Sequence, residues 1–155
     1  MARELLSLKD AVQQLLDEAR MVLPGIQALL GFQLIACFNQ GFAVRLDAGD
    51  QRLHLAAILL VTLATGLVMA PAAYHRHVTQ RAVTDTFLVL GSRLVSAALL
   101  LLALGLSVEI FIVARLVTQS FPASLAIAAA VLCVLLGLWV VLPRWRGVVA
   151  GRAGK

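Results

Sequence analysis

The sequence predicts an all-α integral membrane protein, a four-helix transmembrane bundle preceded by an amphipathic helix. Four apolar stretches occupy residues 21–42, 53–74, 87–113 and 121–142. Each of them reaches the ~20 residues with which an α-helix crosses a bilayer. Hydrophobic residues make up 61% of the 155 residues, charged residues make up 14%, and the mean hydropathy is +0.95. A soluble domain of this size could not bury so much apolar side chain.

The basic residues crowd onto one side of these stretches. If both termini face the cytoplasm, ten of the 13 Lys and Arg residues lie inside, and Arg45, Arg52 and Arg115 lie outside. Basic residues are enriched in the loops that stay in the cytoplasm. We therefore expect a multi-pass protein of the cell inner (plasma) membrane with both termini cytoplasmic. The same placement explains the basic pI, so we expect contact with membrane lipids and none with nucleic acid.

Residues 1–23 are expected to form the amphipathic helix. Leu5, Leu8, Val12, Leu15 and Ala19 recur at alternating spacings of three and four, which places them on one stripe of a helix. The segment has an acidic balance, whereas helices that bind anionic lipid are usually basic on the polar face. Packing against a partner helix is favoured, and lying against the inner membrane surface is the alternative.

Pro24 and the later turn signals divide the rest of the chain. Proline lacks an N–H group and disfavours helical geometry in the residue before it, so the first helix should stop or kink at Pro24. Residues 24–143 then form the transmembrane domain, with turns expected at 45–52, 75–85 and 118–122. Residues 144–155 form a basic cytoplasmic tail.

Polar side chains are unusually frequent in the first span. Gln33 and Gln40 lie within about 20° of each other on a helical projection, and Asn39 lies well off that line. Amides at membrane depth either hydrogen-bond to neighbouring helices or line water. Both interpretations stay open from the sequence.

Glu109 is the one acidic residue inside an apolar span. Small residues such as Gly91, Ala98 and Gly105 lie on the same helical stripe, and small residues mark surfaces where helices approach closely. Glu109 should therefore face protein, at the depth of Asn39 and Gln40 and of His54. A structural ion pair or hydrogen-bonded anchor is one expectation, and an ion-binding or proton-accepting role is the other.

A second group of polar residues is expected at the inner face. It comprises Tyr74, His75, Arg76, His77 and Arg93. Tyrosine and long basic side chains anchor at the headgroup level, so an interfacial cluster is the expectation. Histidines two residues apart point to different sides of a helix, and no Cys or acidic ligand lies at a suitable spacing. We expect no metal, no cofactor and no enzymatic activity, because no catalytic constellation is present.

Two further helix faces suggest assembly. Thr62, Gly66 and Ala70 form a small-x-x-x-small run in the second span, and Ala123, Ala130 and Gly137 repeat at seven-residue spacing in the fourth. Such faces let helices pack closely in membranes. We expect a homo-oligomer, and a different membrane protein is a further candidate partner.

Three short motifs resemble those of a known family. They are Leu23-Pro24-Gly25-Ile26-Gln27, the segment 38–42, and Ala70-Pro71-Ala72-Ala73-Tyr74-His75-Arg76. They are similar to an uncharacterised family of small bacterial four-helix integral membrane proteins, a domain of unknown function. The resemblance covers about residues 10–145. It implies four spans and a bacterial inner membrane and assigns no activity.

For function, the sequence favours a homo-oligomeric channel or passive conduit for a small ion or solute. Its path would follow the amide face of the first span, with Glu109 near the outer end. The alternative is a non-catalytic membrane scaffold or accessory subunit whose polar residues hold helices together. The two differ in whether Gln33, Gln40 and Glu109 face water or one another.

Overall fold

The computed structural model describes residues 8–78 and 85–143, and these residues form an all-α bundle. The helices are α1 (Leu8–Cys37), the short α2 (Phe42–Arg45), α3 (Ala48–Val78), α4 (Asp85–Thr118) and α5 (Phe121–Leu136). A five-residue π-helix, Gly137–Val141, extends α5. Residues 1–7, 79–84 and 144–155, including the basic tail and part of the inner turn, lie outside the described residues.

Four helices of the described chain are long and apolar enough to cross a membrane. Their candidate spans are Asp10–Cys37, Ala48–Tyr74, Phe87–Thr118 and Phe121–Val141. The predicted all-α fold with four spans is therefore confirmed. Following the predicted orientation, we call the end where α1 begins and α3 ends the inner end, and the end where α1 ends and α3 begins the outer end.

The first helix does not end at Pro24, so of the predicted stop or kink, the stop does not occur. Pro24 lies inside α1, which continues as one helix from Leu8 to Cys37. Proline removes a single backbone hydrogen bond from a helix, that of its own missing N–H. Contacts on both sides of Pro24 hold the helix in place, because Ala19 and Ile26 pack in the same apolar core.

Helices α3 and α4 form the centre of the bundle. α1 packs against both of them, and α5 packs on α4. Val61 and Ala64 of α3 meet Ala98 and Leu102 of α4 in the main core. Gly105 allows α3 and α4 to approach closely, since a Cβ atom there would lie 3.1 Å from Val61 Cγ2 and 3.4 Å from the Ala57 carbonyl oxygen. A second core at the inner end joins Val12 and Leu15 of α1 to Phe87 of α4.

The outer connection differs from the turn expected at residues 45–52. The first span ends at Cys37, α2 occupies part of the connection, and α3 already begins at Ala48. The physical reason is a helix cap: Asp47 Oδ1 accepts a hydrogen bond of 2.9 Å from the Asp50 backbone N–H. Capping by Asp47 starts α3 five residues before the apolar stretch that the sequence pattern marks.

The expected turn between the last two spans is present. α4 ends at Thr118, and α5 begins at Phe121 with proline in its first turn. Gln119 between them has φ 50°, in the left-handed region that side chains other than glycine rarely adopt. Thr118 and Ser124 bind each other across the turn, with their hydroxyl oxygens 3.0 Å apart.

Candidate functional site

Three residues from three helices meet near the outer end of the bundle. They are Gln33 in the last turns of α1, His54 in the second turn of α3, and Glu109 in α4. Gln33 Nε2 donates a hydrogen bond of 2.8 Å to Glu109 Oε1. His54 Nδ1 lies 2.9 Å from Oε1 and 3.0 Å from Oε2 of the same carboxyl group. We call Gln33, His54 and Glu109 the polar centre.

The backbone of α1 contributes to the polar centre as well. His54 Nε2 lies 3.0 Å from the Gln33 carbonyl oxygen, which also accepts a 3.6 Å contact from the thiol of Cys37. Because a carbonyl oxygen can only accept, Nε2 must carry a hydrogen. The Phe42 ring packs against the imidazole at a tilt of 58°, with ring centroids 5.2 Å apart. The ring of His54 is therefore held in one orientation.

This hydrogen-bond pattern requires one proton between His54 Nδ1 and Glu109. If the imidazole is charged, Nδ1 donates to a carboxylate. If the imidazole is neutral, Nε2 has its hydrogen and Nδ1 must accept from a protonated carboxyl group. In both forms the pair is neutral overall and holds a single exchangeable proton. Chemically, the polar centre is an imidazole and a carboxyl group that share one proton.

A cavity of about 450 Å³ lies against the polar centre. Glu109 and His54 form part of its wall, and the exposed residues Asn39 and Arg45 form its outer rim. The Glu109 side chain is 19% exposed, whereas His54 is 5% exposed. Of the two residues of the centre that line the cavity, Glu109 is thus the more exposed, and the cavity reaches the outer end.

The other amides expected in a polar path do not join the polar centre. Gln40 is exposed and forms no side-chain hydrogen bond within the described residues. Asn39 Oδ1 accepts a 2.9 Å hydrogen bond from the Gly41 backbone, which shapes the turn after α1. Gln33 and Gln40 fall on different surfaces because α1 ends between them, at Cys37.

Beneath the polar centre, toward the inner end, the bundle is filled with apolar side chains. Ala57, Val61 and Ala64 follow His54 along α3, and each of them is fully buried. Ala98 and Leu102 face them from α4. In this conformation, polar side chains do not continue from the centre through the described core.

The predicted inner-face cluster is only partly described. Tyr74 stacks on Phe87, with ring centroids 5.8 Å apart, and Arg76 is exposed. Arg93 is exposed and shares a cavity with Glu18, without an ion pair between them among the described residues. The side chains of His75 and His77 lie outside the described residues.

Sequence reasoning missed an ion-pair cluster at the outer end. Arg115 lies 3.4 Å from Asp47 and 3.4 Å from the buried Asp50, and its guanidinium is 6.0 Å from the ring centres of Phe111 and Phe121. The sequence did contain an indication of this cluster. Asp47 and Asp50 have the spacing typical of a helix start, and Arg115 lies in the last turn of α4. The start of α3 and the end of α4 lie at the same end of the bundle.

The pKa of Asp47 lies below its ordinary value. The largest cause is the backbone N–H of Asp50, which donates to the carboxylate and lowers the pKa. Desolvation raises the pKa, whereas the Gly49 N–H and the charge of Arg115 lower it further. Each of these donors and charges favours the ionised form. Asp47 therefore stays negative and keeps its two partners, the α3 N-terminus and Arg115.

The fold and the polar centre define a multi-pass α-helical membrane protein with an ionisable pair inside the bundle. The chain belongs to the family of unknown function DUF6328, whose family model matches residues 8–143. No curated protein and no solved structure matches the chain. The expected membership of an uncharacterised family is confirmed.

Proposed function

We propose that the protein is a passive conduit for a small cation, best suited to the proton, and that the polar centre is its outer binding site. The observation that carries this proposal is the Glu109 carboxyl group, which contacts His54 and Gln33 while facing a cavity of about 450 Å³. A group that exchanges protons and meets an outward cavity has what the first step of conduction needs.

Stability alone is a poor reason for the His54–Glu109 pair. Replacing a buried ion pair by apolar residues of similar size is often neutral or stabilising, so such a pair is weak evidence for a structural role. Ionisable residues within membrane spans are costly and commonly mark ion or proton pathways. The unpartnered, buried Gln33 Oε1 adds a polar acceptor beside the pair.

The packed core beneath the polar centre corresponds to a closed conformation. Conduction requires that α3 and α4 move apart so that the Val61 and Leu102 side chains separate, or that the path continue between subunits. In the proposed homo-oligomer, a second copy would pack on the small residues Thr62, Gly66 and Ala70. This surface is open, because a Cβ atom added to Gly66 would meet no neighbouring atom within 4 Å.

Proton flux into proteoliposomes tests this proposal. Vesicles would contain a pH-sensitive dye, and a potassium gradient with valinomycin would set the membrane potential. We expect flux well above that of protein-free vesicles and a loss of at least about tenfold in Glu109→Gln, because general proton relay depends on the carboxyl group. Gln33→Leu should alter the flux, and the exposed Gln40→Leu is its matched control.

The outcomes separate the two functions. Wild-type flux equal to that of empty vesicles, with the protein folded and inserted, would refute the conduit. If the wild-type protein conducts but the flux is unchanged in Glu109→Gln, the polar centre is not the binding site of the conduit.

A scaffold or accessory subunit is the second candidate, and one observation favours it. The polar side chains of three helices bind one another, which is how interhelical hydrogen bonds hold a bundle together. Under this proposal the variants at Gln33, His54 and Glu109 lower stability, and protein-containing vesicles conduct no more than empty ones.

A further inference from the structure

A groove of about 490 Å³ lies between α1 and α3 at the inner end, far from the polar centre. Its walls are apolar and include Leu23 of α1 with Met69 and Ala72 of α3. Arg20 and Arg76 also line it, one from each helix. We call this the arginine groove.

The sequence explains why the two helices leave space here. Ala72 and Ala73 are small and exposed on α3, whereas Leu23 and Met69 reach further and form the edges. Ala19 packs into the core at the base of the groove. The result is a slot with an apolar floor whose surface continues onto Met69, which is 49% exposed.

The charge of the arginine groove is positive. Arg20 and Arg76 are its charged residues, and no acidic side chain is among the described residues that line it. Arg20 does contact Asp17 at 3.4 Å, but these side chains are 78% and 47% exposed. An ion pair so exposed contributes little and is easily exchanged for another anion.

The groove lies where the apolar part of both helices ends. The candidate span of α3 ends at Tyr74, two residues before Arg76; on α1 the candidate span begins earlier, at Asp10, but the continuous apolar stretch begins at residue 21, directly after Arg20. Arginine binds phosphate through two parallel N–H groups and is well suited to headgroup recognition. Basic pockets between membrane helices bind anionic headgroups in this way.

We propose that the arginine groove binds one anionic phospholipid. The phosphate lies between Arg20 and Arg76, and an acyl chain follows Leu23 and Met69 into the bilayer. A soluble anion would use the two guanidinium groups and leave the apolar walls unused, whereas a phospholipid uses both. This proposal stands apart from the conduit, because none of its residues belongs to the polar centre.

Native mass spectrometry of the purified full chain tests the proposal. Protein in mild detergent would be titrated with phosphatidylglycerol and, in parallel, with phosphatidylcholine. We expect one tightly bound phosphatidylglycerol and at least fivefold weaker binding of phosphatidylcholine. Each of Arg20→Gln and Arg76→Gln should weaken phosphatidylglycerol binding by about fivefold, since one basic residue near an anionic lipid contributes about that factor.

Arg52→Gln is the matched control, because Arg52 is exposed at the outer end and its loss changes the net charge equally. Equal weakening by Arg52→Gln would overturn the proposal, as would equal affinity for the two lipids. Melting temperatures measured in detergent alone show that each variant is folded.

A second pair of variants tests the apolar walls without changing charge. Ala73→Phe should fill the groove and weaken phosphatidylglycerol binding by about fivefold or more, whereas the exposed Ala126→Phe on α5 should leave it unchanged. Millimolar inorganic phosphate is the competing probe. We expect it to leave the bound lipid in place, and its displacement of the lipid would mean that the site recognises phosphate alone.

Discussion

At the residue scale, the proposed conduit rests on one proton between His54 and Glu109. Both hydrogen-bonding positions of the imidazole are occupied, one by the carboxyl group and one by the Gln33 carbonyl oxygen. If the pair lost its proton, one of two contacts would have no hydrogen in it. The contact would be either that between Nδ1 and the Glu109 carboxylate or that between Nε2 and the Gln33 carbonyl oxygen. Each arrangement places two acceptors against each other, so a proton that leaves the pair must be replaced before both hydrogen bonds can form again.

A double-mutant cycle measures how strongly the two residues depend on each other. His54→Leu and Glu109→Leu each leave a buried polar group without its partner, and we expect each to lower the free energy of unfolding by about 3 kcal/mol. The double variant should lose clearly less than the sum. Unfolding in mixed detergent micelles, followed by circular dichroism, gives these values.

Gln40→Leu is the control for this cycle, because Gln40 is exposed and its loss should be nearly neutral. Strictly additive losses in the double variant would show that His54 and Glu109 contribute independently. The polar centre would then be two separate anchors rather than a coupled pair.

At the scale of the elements, the close contact of α3 with α4 positions the polar centre. Gly105 lies one turn before Glu109 and faces Val61, which is fully buried. We expect Gly105→Leu to push the helices apart and to destabilise the protein by about 2 kcal/mol, the usual cost of overpacking. Thermal unfolding in detergent measures the loss.

Gly66→Leu is the matched change on the exposed side of α3, where a Cβ would meet nothing within 4 Å. Its effect on monomer stability should be near zero. If two copies pack through this face, the same substitution weakens self-association, which light scattering of the detergent-solubilised protein detects. An equal loss of monomer stability in both variants would contradict the assignment of Gly105 to the tighter interface.

The N-terminus of α3 carries a pH dependence through Asp47. The pKa of Asp47 is depressed in the folded protein, so its stabilisation is present above the unfolded value near 3.8 and is lost as pH falls through the folded pKa. We expect Asp47→Asn to lower the melting temperature at neutral pH. The substitution should have little effect at pH values below the folded pKa, where Asp47 is protonated. A melting-temperature series from pH 7 to about 2 measures the difference. A constant difference at all pH values would exclude Asp47 as the titrating group.

The sequence predicted the elements well and the contacts between them less well. Apolar length alone indicated four spans, and the small-residue stripe with Gly91 and Gly105 indicated that Glu109 faces protein. The start of α3 was misjudged because Asp47 caps a helix whose first turn is polar. The meeting of Gln33 with Glu109 was one of two open alternatives, and the sequence could not decide between them because the contact depends on how α1 rotates against α4.

At the scale of the whole molecule, the orientation in the membrane is a prediction that labelling can test. In a variant with Cys37→Ala and Cys133→Ala, single cysteines would be introduced as Gln40→Cys at the outer end and Glu18→Cys at the inner end. The excess of inner basic residues predicts that a membrane-impermeant maleimide labels intact cells at position 40 alone. Labelling at position 18 instead would reverse the assigned topology.

The two hydrogen-bonded side chains Gln33 and Glu109 are synthesised at different times. Gln33 and Glu109 are 76 residues apart in the chain, so at the usual rate of translation the amide is made about 4 to 15 seconds before its partner. Of the four spans, α1 also has the lowest mean hydropathy. Of these four helices, the least apolar one is therefore made before the others, and its amide has no Glu109 partner until α4 follows. The polar centre can be completed only after α4 is synthesised.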